Sequence, residues 1–160
     1  MAVDGDQALF TVSGRATFAR AGDLQAAFDS LLSRGLTRFS VDLAGCETLD
    51  STFIGVLAAL TRKLRQGSSD RRLELANLTE RLTQQIASLG ILPMFSVTRS
   101  TASATDFNDV AATAKDKADL TRTSLEAHRT LMAENDENVA RFKDVAQYLA
   151  EELKRLNEPP

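Results

Sequence analysis

The first 98 residues alternate between two kinds of hydrophobic segment, and this alternation limits the possible folds more than any other feature. Short apolar runs that suit strands occur at residues 8–13, 39–43, 72–76 and 94–98. Between them, apolar residues recur at the three- or four-residue spacing of helices, from residue 22 or 23 to 35, then over 51–66 and 79–88. Regular alternation of this kind predicts an α/β fold, with helices packed on a sheet.

Residues 99–160 have a different pattern. They contain no glycine, and their only prolines are Pro159 and Pro160. A helix is predicted over residues 119–133, and a second helix carries a stripe of apolar residues at Val139, Phe142, Val145, Leu149, Leu153 and Leu156. The Asn135-Asp136 pair suits a turn between them. We therefore expect two parts, residues 1–98 and a C-terminal helical extension over residues 99–160 that forms an antiparallel hairpin.

The apolar stripe of the last helix has three interpretations: it folds back on the α/β core, it forms a homodimer, or it docks a partner. The polar stretch Thr98 to Thr105 is a short tether. A short tether keeps the stripe at high effective concentration near its own core. Packing within the molecule is therefore favoured, and a homodimer through the C-terminal helices is the runner-up.

Cysteine and histidine each occur only once in the chain, as Cys46 and His128. This excludes a disulfide scaffold and a zinc finger, and no metal or cofactor is expected. A serine or thiol hydrolase would need His128 beside its nucleophile. We interpret His128 as a surface histidine, because it has no second ligand nearby in its helix, and Cys46 as a small, partly buried side chain.

Charge and hydropathy exclude further classes of protein. The chain has 19 basic and 22 acidic side chains and a net charge of -3. It has no basic block, which argues against nucleic-acid binding. The longest apolar run, Phe53 to Leu60, is too short to cross a bilayer. Residues 1–6 lack the pattern of a secretory signal, so a cytoplasmic location is expected.

The most informative segment joins the predicted strand 39–43 to the helix beginning at residue 51. A short loop there ends in Leu49-Asp50-Ser51-Thr52, directly before apolar residues at helical spacing. Polar residues at such a junction commonly cap the free backbone N–H groups of the helix. Capping alone therefore accounts for their position, and a functional role needs further support.

That support comes from a family resemblance. The strand, the Asp50-Ser51-Thr52 junction and a helix with Gly55 one turn in resemble the STAS domain of bacterial anti-sigma-factor antagonists. The motif of that family is Asp-Ser-Ser/Thr-Gly-Leu/Met-Gly. The order of the surrounding segments over residues 7–98 agrees as well, at Ser13-Gly14, Val41-Asp42-Leu43, Asn77-Leu78-Thr79 and Leu89-Gly90-Ile91. The resemblance implies a STAS-like sheet of about four to five strands with helices packed on it.

The resemblance also implies a switch. In that family an anti-sigma factor serine kinase phosphorylates the serine after the aspartate, and a serine phosphatase restores it. Here that serine is Ser51, and the expected partner-binding residues are Asp50, Thr52, Phe53 and Gly55. Phe53 stands where the family usually has its first glycine. A phenyl group there would either narrow access for the kinase or give the partner an apolar contact.

Three functions follow from these observations. The leading one is a non-enzymatic antagonist that binds an anti-sigma kinase when Ser51 is unmodified and is released on phosphorylation. The second is an unphosphorylated STAS subunit of a larger assembly, such as a lipid-transport ATPase. The third is an enzyme with a serine nucleophile at the strand-to-helix turn. Glycines do not flank Ser51 as a nucleophile elbow requires, and His128 belongs to a separate helical segment.

Overall fold

A five-stranded sheet lies at the centre of the fold. The computed structural model describes residues 1–100 and 108–158. The strands within them are β1 (Ala2–Asp4), β2 (Gln7–Thr11), β3 (Gly14–Ala16), β4 (Arg38–Asp42), β5 (Cys46–Leu49), β6 (Glu74–Ala76) and β7 (Ser96–Thr98). The central sheet has the order β1-β2-β4-β6-β7, with β1 antiparallel to β2 and the other pairs parallel. A separate parallel pair joins β3 to β5.

Five α-helices accompany the sheets in the described residues. They are α1 (Phe18–Ser33), α2 (Ser51–Gly67), α3 (Glu80–Ala87), α4 (Lys117–Glu134) and α5 (Glu137–Asn157). A short 3-10 helix spans Leu92–Met94. None of these helices is long and apolar enough to span a membrane. The predicted α/β fold is confirmed, and so is the C-terminal helical hairpin, which α4 and α5 form.

The boundaries differ from the prediction in three ways. Strands β1, β3 and β5 were not predicted, because they lie in polar, glycine-containing stretches that show no alternating apolar pattern. Helix α1 begins at Phe18 rather than at residue 22 or 23. The prediction missed its first turn because that turn is exposed and carries no apolar periodicity. Strand β7 begins at Ser96 rather than at Met94, because Pro93 lies in the 3-10 turn and cannot donate a backbone hydrogen bond.

The core forms between the parallel strands and the first two helices. Phe10, Val41 and Leu75 occupy matching positions on β2, β4 and β6, and each is at most 2% exposed. The ring of Phe28 on α1 packs on Phe39 of β4, with centroids 4.1 Å apart. Strand β5 ends at this core, and helix α2 begins directly after it. Most residues of α2 are buried.

The hairpin packs on the core through α4, which contacts α2 and α1, while α5 contacts α4. Its turn is fixed to the end of α3, since the buried Asn138 side chain donates to the carbonyls of Leu89 and Leu131, both at 2.9 Å. Ala127 and Leu131 of α4 join the same hydrophobic cluster as the strands. The first 98 residues and the extension therefore share one core.

The apolar stripe of α5 is only partly covered by this packing. Phe142, Leu149 and Leu153 are half-buried, whereas Val139, Val145 and Leu156 are exposed. The reason is that α4, not α5, lies against the α/β core. The homodimer through this stripe stays a prediction. Of the predicted tether, residues 101–105 lie outside the described residues.

Candidate functional site

Asp50 connects the starts of two helices. Its Oδ1 accepts a hydrogen bond from the backbone N–H of Phe53, at 2.7 Å, which caps α2. Its Oδ2 accepts one from the N–H of Phe18, the first residue of α1, at 2.6 Å. The Asp50 N–H donates to the carbonyl of Ala16 at 3.0 Å. Both carboxylate oxygens are thus in use, so the aspartate fixes the backbone from which the Ser51 side chain projects.

Ser51 is the first residue of α2 and is half-buried. Its Oγ lies 3.0 Å from Nε2 of His128, on α4. The other ring nitrogen, Nδ1, lies 2.7 Å from the carbonyl oxygen of Ser124. Because a carbonyl oxygen only accepts, Nδ1 carries the proton and Nε2 is an acceptor. The Ser51 hydroxyl therefore donates to His128.

The interpretation of His128 as a surface residue was wrong. The side chain is 5% exposed, and the ring of Phe142 on α5 packs on it with centroids 5.0 Å apart. Burial lowers the pKa of the imidazole below its ordinary value of 6.5, and the Ser124 carbonyl and the Asp50 carboxylate oppose this shift. The histidine that contacts Ser51 is consequently neutral at pH 7.

The residues after Ser51 are covered. Thr52 is 5% exposed, and its Oγ1 donates to the Ser124 hydroxyl at 3.3 Å. A Cβ added to Gly55 would lie 2.5 Å from the carbonyl oxygen of Ala127, so α2 and α4 cross there in close backbone contact. Phe53 is 2% exposed and belongs to the hydrophobic core. In this structure Phe53 has no exposed apolar surface to offer a partner.

The structure thus places all five predicted site residues on one short segment, but with different exposure. Asp50 and Ser51 are half-buried, whereas Thr52, Phe53 and Gly55 are buried. Their contact with a partner stays a prediction, and for Thr52 and Gly55 it requires α4 to move away.

Three residues of α4 complete the site and were not identified from the sequence. Ala127 and His128 follow Ser124 by three and four residues and therefore lie on the same side of the helix as Ser124. The sequence contained a signal for them, because Ser124 interrupts an otherwise apolar face. A polar residue on a buried face indicates a polar partner on the neighbouring element.

The hydroxyl, the imidazole and the carbonyl have the hydrogen-bond order of a serine nucleophile, its base and the group that orients the base. The sequence argument against a hydrolase that relied on the separation of Ser51 and His128 is therefore wrong. Two cavities in the described residues are lined by residues other than Ser51 and His128. The larger, of about 500 Å³, lies between the end of β2, the start of α1 and residues 109–112.

No three His, Cys, Asp or Glu side chains in residues 1–100 and 108–158 lie close enough together to hold a metal ion. Cys46 is 5% exposed, and burial raises the pKa of its thiol. The thiol is therefore protonated and shielded, in agreement with its interpretation as a small packing residue. Covalent modification of Ser51 stays a prediction.

Comparison with known proteins identifies the family of the first part of the chain. Residues 2–92, more than half of the chain, match the family described as Mlab, STAS domain. No curated protein matches the chain.

Two solved structures of TM1081, a candidate anti-sigma factor antagonist from Thermotoga maritima, resemble the fold. The crystal structure has a TM-score of 0.55 and 16% sequence identity, over 62% of this chain and 85% of that one. The NMR structure has the same TM-score and identity, over 62% and 78% of the two chains. The family match, the sheet order and the helix that begins at Ser51 together show that the chain belongs to the STAS-domain family.

Proposed function

We propose that the chain is a partner-switching protein of the anti-sigma-factor antagonist type, with Ser51 as its phosphorylation site. Unmodified Ser51 permits binding to an anti-sigma factor serine kinase, and phosphorylation ends that binding. A serine phosphatase resets the switch. Residues 1–98 form the switch domain, and residues 99–160 are a helical extension of it.

The position of the Ser51 hydroxyl carries this proposal. It lies on the first residue of α2, half-buried, beside a carboxylate that already caps the helix. Free N–H groups and the helix dipole at such a terminus favour a phosphate, which adds about -1.5 to -2 charges. The α/β core tolerates this charge, so the modification acts on association and not on folding.

Mass spectrometry tests the proposal. The full chain is incubated with ATP and a candidate serine kinase encoded beside it, and modified residues are mapped. We expect phosphate on Ser51, its loss in Ser51→Ala, and its retention in the control variant Ser13→Ala, which changes an exposed serine outside the site. A kinase that binds the chain but leaves Ser51 unmodified would contradict the proposal.

A second candidate function is an unphosphorylated STAS subunit of a larger assembly. One observation favours it: the Ser51 hydroxyl already has a partner within the chain, His128, so no modification is needed to satisfy it. Binding to the candidate partner distinguishes the two functions. Equal binding by wild type, Ser51→Ala and Ser51→Asp would favour the subunit. Loss of binding in Ser51→Asp alone would favour the switch.

A further inference from the structure

We propose that the C-terminal hairpin is an autoinhibitory cover on the Ser51 face of α2, and that a phosphate on Ser51 releases it. The Ser51 face is defined here as Ser51, Thr52 and Gly55. The inference rests on the proposed function, because it concerns regulation of the same site, but the release itself can be measured without any partner.

Three contacts between α4 and the Ser51 face define the position of the cover. His128 accepts from Ser51 at 3.0 Å, Ser124 accepts from Thr52 at 3.3 Å, and the Ala127 backbone lies where a side chain on residue 55 would project. All three residues of α4 lie on one face, within a single turn and a half. The cover therefore contacts α2 at three of its first five residues. A protein that binds this surface has to displace α4 first.

The chemistry of the contact suits a reversible cover. Alongside the apolar Leu125, Ala127 and Leu131, helix α4 buries four polar side chains, those of Thr121, Ser124, His128 and Thr130. Each hydrogen bond between neutral groups contributes about 1 kcal/mol net. Interfaces between parts of one chain that separate are more polar than permanent cores. The hydroxyls of Thr121 and Thr130 bond to carbonyls within α4 itself. Two weak hydrogen bonds, to His128 and to Ser124, therefore join α4 to the start of α2.

A phosphate on Ser51 removes the shorter of these two hydrogen bonds. The ester oxygen no longer carries a proton, so it faces the unprotonated Nε2 with lone pairs on both atoms. Protonation of His128 would restore attraction: burial lowers the pKa of that ring, whereas the phosphate charge would raise it. The repulsion therefore acts at a pH at which the imidazole is neutral. The closed arrangement is therefore disfavoured once Ser51 is modified.

The coupling works in both directions. If phosphate favours release of the hairpin, the closed hairpin disfavours phosphorylation by the same free energy. The hairpin then sets a threshold: the unmodified chain binds its kinase only in the open form, and the phosphate both ends that binding and prevents closure until it is removed.

Hydrogen–deuterium exchange of the full chain tests this inference. Phosphoserine is installed at position 51 during synthesis, so no kinase is needed, and exchange is measured at pH 8 to keep His128 neutral. We expect amides of α4 to exchange at least about tenfold faster than in the unmodified chain, while those of β4 stay unchanged. Ser51→Ala, which loses the same hydrogen bond without adding charge, should accelerate α4 by less than the phosphate does.

Two results would overturn the inference: unchanged or slower exchange in α4, or equal acceleration in α4 and β4, which indicates unfolding of the whole domain. Ser51→Asp gives a second test of the charge if the phosphoserine chain is poorly folded. A chain that shows release here but is not modified by its kinase would contradict the proposed function and leave the release intact.

Discussion

At the scale of single residues, Asp50 and His128 differ in how far the sequence predicts them. Asp50 lies directly before Ser51, and an acidic residue at a strand-to-helix junction predicts a cap, which is what the structure shows. Its second bond, to the N–H of Phe18, joins residues 32 positions apart and has no local signal. The contact of His128 with Ser51 spans 77 positions. Packing of the hairpin creates that contact, and no short motif encodes it.

Asp50 offers a stability prediction. Asp50→Ala leaves the N–H groups of Phe53 and Phe18 without their acceptor and should lower the free energy of unfolding by about 2–3 kcal/mol. Asp50→Asn keeps one acceptor oxygen and should lose about half of that. Asp116→Ala is the matched control, because Asp116 caps α4 with one bond at an exposed position. Urea unfolding measures the stability of all three variants. Equal losses in Asp50→Ala and Asp116→Ala would contradict the conclusion that Asp50 accepts hydrogen bonds at the starts of two helices.

At the scale of elements, the crossing of α2 and α4 depends on a single glycine. The sequence predicts α2 well, over residues 51–66 against the observed Ser51–Gly67, because its apolar residues repeat over more than four turns. It does not predict which helix packs on α2. Gly55 entered the prediction through the family motif, whereas in this structure it is the point at which the backbone of α4 approaches.

Gly55→Ala separates helix propensity from helix packing. In an isolated helix this change would stabilise by about 1 kcal/mol. Here the new Cβ would lie 2.5 Å from the Ala127 carbonyl oxygen, so we expect a net loss of about 1–3 kcal/mol in the free energy of unfolding. Gly22→Ala on α1 is the control, since its Cβ meets the end of the flexible Lys115 side chain. A Gly55→Ala chain as stable as wild type would show that the helices do not cross this closely.

At the scale of the whole molecule, one part of the chain covers the candidate site of the other. The sequence predicts both parts, because alternating segments indicate an α/β fold and the absence of glycine indicates helices. It does not predict that α4, with its weaker amphipathic pattern, packs on the core while the stronger stripe of α5 stays partly exposed. Small side chains such as Ala127 permit a helix to approach α2 closely. They therefore favour α4, rather than α5, as the helix that packs on the core.

The central claim is that the hairpin brings His128 onto Ser51, and the chain has only this histidine. NMR of the labelled imidazole in the full chain therefore tests the claim directly. Because the closed form binds the proton less tightly than the open form, closure should weaken as the pH falls through about 6.5 and should not change above it. We predict a pKa below 6.5, a proton on Nδ1, and ring resonances that shift in Ser51→Ala. A pKa of 6.5 or higher, with resonances unaffected by Ser51→Ala, would contradict the account.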